Sequence, residues 1–100
     1  MKIECACGEK IHDTTEYLPN KGYVLGDKDN FKFWDAVDAA IESPLVGESP
    51  EATCVRLRRG NPSRLVWECL NCGRLYLDDV NHRLVEYVPA SGAYNGILNR

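Results

Sequence analysis

Two close cysteine pairs near opposite ends of the chain, Cys5-Ala6-Cys7-Gly8 and Cys69-Leu70-Asn71-Cys72-Gly73, constrain the fold more than any other feature. Four thiolates at about 2.3 Å close a tetrahedral shell around one zinc ion, and a Cys-x-Cys or Cys-x-x-Cys turn lets a single loop supply two of them. Cys5, Cys7, Cys69 and Cys72 are therefore the expected ligands of one structural Zn2+. The glycine after each pair lets the chain turn without a Cβ clash while backbone N–H groups face the sulfurs. Such a site would tie residue 5 to residue 72 in a chain too short to rely on its core alone.

Rival readings of the cysteines fare less well. A redox Cys-x-x-Cys belongs at a helix N-terminus in a βαβ unit, whereas Cys69 and Cys72 lie between two strand-like runs. Cys54 reads as a small buried side chain on a helix. His12 and His82 read as surface or hydrogen-bonded histidines rather than ligands.

One hundred residues, 44% of them hydrophobic, predict one zinc-stabilised domain over 1–100. An odd number of cysteines and the tight Cys5/Cys7 spacing suit a reducing compartment, and Met1-Lys2-Ile3-Glu4-Cys5 has no apolar leader core. The expected location is the cytoplasm. No stretch reaches the roughly 18 apolar residues of a membrane span. The formal charge is -3, and four thiolates around a divalent ion would carry it to about -5. This acidic surface argues against bulk nucleic-acid or membrane binding and favours a basic protein partner.

Lys2-Ile3-Glu4 and Lys10-Ile11-His12 alternate on either side of the first pair and predict two short strands. Pro19-Asn20-Lys21-Gly22 reads as a turn before the brief apolar run Tyr23-Val24-Leu25. Asp27 to Asn30 offer N-caps to a helix from Phe31 to Glu42, which stops at Ser43-Pro44. Its apolar residues Trp34, Val37 and Ile41 are expected to pack on Leu65, Trp67 or Leu75. On the other side, Asp35, Asp38 and Glu42 form a carboxylate row. Ser49-Pro50-Glu51 starts a second helix that runs to Arg59 and stops at Gly60. From Arg64 the period is two, and the runs ending near Glu68, Leu77 and Val88 predict a three-stranded antiparallel meander. Ile97-Leu98 is expected to dock on the sheet edge.

The stretch Val66-Trp67-Glu68-Cys69-Leu70-Asn71-Cys72-Gly73-Arg74-Leu75-Tyr76-Leu77 closely resembles the second, rubredoxin-like knuckle of zinc ribbons, in which a β-hairpin carries Cys-x-x-Cys-Gly in its turn. By that resemblance Cys5-Ala6-Cys7-Gly8 is a shortened first knuckle and the two helices are an insertion between the knuckles. The implied class is α+β, a zinc-ribbon-like antiparallel meander with two inserted helices.

Four cysteines leave no open coordination position, and no nucleophile triad or phosphate loop is present, so the chain reads as non-enzymatic. Two functions fit. The first is a protein-binding module, similar in size and charge alone to small bacterial immunity proteins, that neutralises a basic partner such as a toxin through Asp35, Asp38 and Glu42, supported by Asp27 and Asp29. The second is a nucleic-acid-associated ribbon using Arg56, Arg58, Arg59, Arg64 and Arg74 with Trp67 and Tyr76 as exposed stacking aromatics.

Overall fold

The computed structural model describes residues 1–99 and has an α+β fold of two helices and two antiparallel sheets. The order is β1 (Lys2–Glu4), β2 (Lys10–His12), β3 (Lys21–Val24), α1 (Asp27–Glu42), α2 (Pro50–Arg59), β4 (Arg64–Glu68), β5 (Leu75–Asp78) and β6 (Leu84–Tyr87). The chain divides into two compact units. One comprises Met1–Val24 with the chain from Arg64 onward and contains both sheets; the other is Leu25–Ser63 and contains both helices.

In the first unit β1 and β2 form a two-stranded hairpin whose alternation turns Ile3 and Ile11, cross-strand partners, to the same buried side. Burying each contributes about 1.5–3 kcal/mol. The larger sheet runs β3-β4-β5-β6, so the expected three-stranded meander has a fourth member. Lys21 to Val24 pair with Trp67 to Arg64, because this run reaches one side of β4 while β5 takes the other.

Leu65, Trp67 and Cys69 share one face of β4, and Tyr76, opposite Trp67, joins them. These residues pack with Ile3, Cys5 and Ile11 in a single core. Val66 and Glu68 take the other face, both buried. The C-terminal tail also meets this unit: a Cβ on Gly22 would lie 2.8 Å from Leu98 Cδ2, which places Leu98 on edge strand β3. At Gly73, whose φ is +79°, a Cβ would run into the Ala93 carbonyl.

In the second unit α1 begins at Asp27, four residues before the expected Phe31. Asp27 and Asp29 belong to its first turn, where they complement the helix dipole, and Gly26 stands at the cap with no side-chain hydrogen bond. The bounds of α2 are as expected. Ser49 Oγ accepts from the Ala52 amide and Pro50 stands at the first helical position.

Trp34, Val37 and Ile41, expected to be core residues, are not buried. Neither helix has a buried residue, Trp34 is 55% and Ile41 75% exposed, and Val37 is half-buried. Within the first unit, Leu65 and Trp67 pack instead with Ile3 and Ile11 of the β1–β2 hairpin. No helix among the described residues is long and apolar enough to cross a membrane.

Candidate metal centre

Each cysteine pair occupies the turn of a hairpin, the first between β1 and β2 and the second between β4 and β5. The two turns follow one hydrogen-bonding plan. In the first, Cys5 N–H donates to Glu9 O at 2.9 Å and Gly8 N–H to Cys5 O at 2.9 Å. In the second, Cys69 N–H donates to Arg74 O at 2.8 Å and Gly73 N–H to Cys69 O at 2.9 Å. The Cys-x-Cys turn is thus the Cys-x-x-Cys turn with one residue removed and its closing bonds kept. Both turns need left-handed backbone at their glycine, with φ of +97° at Gly8 and +79° at Gly73.

The hairpins bring Cys5, Cys7, Cys69 and Cys72 together, with all four sulfurs within 4.8 Å of one another. Cys5 Sγ lies 3.5 Å from Cys72 Sγ, and Cys7 Sγ 3.6 Å from Cys69 Sγ. Metal–sulfur bonds of about 2.3 Å arranged tetrahedrally require sulfur–sulfur edges of about 3.8 Å. The donor set therefore fits a metal ion that prefers soft thiolates.

Outer groups steady the sulfurs. Asn71 Nδ2 donates to Cys7 Sγ at 3.4 Å, and Arg74 Nη1 to Cys72 Sγ at 3.2 Å. Arg74 also forms an ion pair with Glu86, with Nε 2.7 Å from Oε1. Tyr76 O–H donates to the same Glu86 oxygen at 3.1 Å and accepts from the Ala6 amide at 3.3 Å, so a residue inside the first knuckle is bound to the meander.

These surroundings spread the thiol acidities. The Asn71 amide, then the Glu9 backbone amide, hold Cys7 down at about 6. Burial pushes Cys69 up to about 12. Burial also raises Cys72, but the Arg74 backbone and guanidinium outweigh it and leave that thiol below its ordinary value. Burial raises Tyr76 as well, keeping its hydroxyl protonated and able to donate.

The other candidates stand outside this cluster. His12 and His82 are exposed, and Cys54 is an exposed free thiol rather than the expected buried one. Asp27, Asp29, Asp35, Asp38 and Glu42 are all exposed on α1. Trp67 and Tyr76, expected as exposed stacking aromatics, are only 3% and 5% exposed. Their hydrophobic bodies belong to the core, and their polar atoms are bonded to Asp13 and Glu86. Of the basic group, Arg74 is engaged at the thiols, Arg56 pairs with Glu48 at 3.0 Å, and Arg64 donates to Asp78 O.

The family described as Domain of unknown function (DUF8617) matches residues 1–91, a span that contains all five cysteines. The chain belongs to that family. No curated protein and no solved structure matches it. The matched span takes in both knuckles, both helices and all six strands, together with Asn71, Arg74, Tyr76 and Glu86 around the thiols.

Proposed function

We propose that the chain is a non-enzymatic, zinc-stabilised protein-binding module of the cytoplasm, an inhibitor or immunity-type protein that neutralises a basic partner such as a toxin through the acidic face of α1. Zinc is the natural occupant of four thiolates from two knuckles, and a closed shell of four protein ligands serves structure rather than chemistry. Free thiols rather than disulfides accord with a reducing compartment.

The observation that carries the reading is the carboxylate row. Asp35, Asp38 and Glu42 are exposed at i, i+3 and i+7, Asp27 and Asp29 extend the acidic surface at the first turn, and no basic residue occupies the last turn. Among the described residues none of the five enters a salt bridge. Carboxylates left free in this way speed encounter with a basic surface and select against acidic ones.

The test replaces Asp35, Asp38 and Glu42 together by Lys in the metal-loaded protein and measures capture of a basic partner. Exposed changes of this kind move stability by about 0.5 kcal/mol or less each, so the variant should fold. Binding should fall by orders of magnitude, while Arg56, Arg59 and Arg64 changed to Ala should leave it intact. Undiminished capture by the triple Lys variant would remove the acidic face as the working surface.

A further inference from the structure

The exposed side of α1 carries large apolar residues as well as acids. Phe31 is 63% exposed, and Trp34 and Ile41 are exposed with it. Asp27, Phe31, Trp34, Asp38 and Ile41 follow one another along the helix at alternating steps of four and three residues. That is the spacing of the a and d positions of a heptad, which line up as one narrow seam. In the same frame Asp35 and Glu42 are flanking e positions, so the carboxylate row and the apolar seam form one surface. Phe33, Val37 and Ala40 are half-buried and, at i, i+4 and i+7, mark a different side of the helix. The Phe33 ring lies 5.7 Å from that of Trp34 and tilted to it, a contact that steadies the exposed indole.

Apolar side chains at heptad spacing gain most by burial against a second helix. The charges decide which helix. Two copies of α1 meeting seam to seam would bring Asp38 and the flanking carboxylates of both into one interface, where like charges repel. Nucleic acid and anionic lipid are opposed by the same acids. Among the described residues no salt bridge neutralises Asp27, Asp35, Asp38 or Glu42, and the seam with its flanks holds one base, Lys28 at the start of the helix.

We infer that α1 docks an amphipathic helix of a basic partner, apolar at its own a and d positions and bearing Lys or Arg where it meets Asp35, Asp38 and Glu42. Trp34 and its apolar neighbours supply the affinity, and the carboxylates choose the partner. The 16 residues of α1 extend for about 24 Å, enough to engage two heptads of the incoming helix. This occupant presupposes that the acidic face is the working surface, as proposed above, and specifies what that face holds.

The experiment titrates a synthetic three-heptad helix, with Leu at a and d and Lys at e and g, into the metal-loaded protein and follows backbone amide shifts. Saturable shifts along α1 are expected, weakened about tenfold or more by Trp34→Ala combined with Ile41→Ala and also by the triple Lys variant. Both Ala positions are exposed, and the far-ultraviolet dichroism of the double variant should match wild type. A peptide of the same composition in scrambled order reports on charge alone and keeps the test independent of any variant; it should bind at least about tenfold more weakly. The same helix with Glu in place of Lys should not bind.

Equal binding of the scrambled peptide, or binding that the triple Lys variant loses and the double Ala variant retains, would overturn the docked helix and leave the acidic face standing. Binding undiminished in the triple Lys variant would overturn both, and absence of saturable shifts would overturn the docked helix. Self-association of the free protein that Trp34→Ala abolishes, or a Trp34 indole N–H protected from solvent exchange in the free monomer, would show the seam already covered and would equally overturn the proposal.

Discussion

Arg74 meets a thiol and a carboxylate with the same guanidinium, donating to Cys72 Sγ while pairing with Glu86. Removing an outer partner of a metal ligand commonly costs 10–100-fold in affinity. Arg74→Ala is therefore expected to weaken metal binding by at least about tenfold in competition with a chromophoric chelator, with Cys54→Ser at wild-type affinity. From the sequence Arg74 was one of five clustered arginines, since residue type records charge but not direction. Asp13 was equally invisible. It accepts from Lys21 Nζ at 2.9 Å and from Trp67 Nε1 at 3.2 Å, and the Lys21 hydrogen bond, followed by that from Trp67, holds its pKa below the ordinary 3.8. With the folded value depressed, the unfolded chain takes the proton first, so the contribution is complete above pH 3.8 and is lost as pH falls through the lowered value. Urea midpoints of wild type and Asp13→Asn should accordingly converge on acidification. Any metal bound at the thiols would be released from both proteins at low pH, so their difference isolates Asp13.

At the scale of the element, the two knuckles are similar in hydrogen bonding but differ in what surrounds them. Gly8 and Gly73 both have positive φ, yet a Cβ at Gly8 would meet nothing within 4 Å whereas one at Gly73 would strike the Ala93 carbonyl. Gly8→Ala should cost about 1–2 kcal/mol, the left-handed penalty alone. Gly73→Ala should cost clearly more in urea unfolding, because the backbone of the tail must shift. Equal costs would mean that Ala93 moves away freely. The boundaries of β1, β2 and α2 were legible because their signals are local: alternation around Ile3 and Ile11, Ser49-Pro50 at one helix end and Gly60 at the other. The start of α1 was displaced because Asp27 and Asp29 serve a first helical turn as readily as they precede one. Strand β3 was visible only as an apolar run, since its pairing with β4 crosses the entire helical insertion.

For the whole molecule, the thiol cluster is the only group of possible metal ligands among the described residues that joins the two sheets. Purified protein is expected to contain one zinc per chain by elemental analysis. Chelation should abolish the near-ultraviolet signal of buried Trp67, because metal binding and the folding of such a site are thermodynamically linked. Folded protein with well under one equivalent of metal, or a chelated sample with its Trp67 signal intact, would refute the structural role. The sequence alone picked out the four cysteines that the fold gathers, since thiols paired in short turns and followed by glycine have few other uses, and it pointed to two helices and to strands through changes of hydrophobic period. It did not determine which apolar surfaces meet. Trp34 and Ile41 have the spacing of core residues but stand exposed, while Trp67 and Tyr76 are enclosed with Ile3 and Ile11. Periodicity marks a face as apolar without naming its partner; only tertiary structure assigned the core to the N-terminal hairpin, brought Arg74 to Cys72, and left the Glu68 carboxylate buried without a donor.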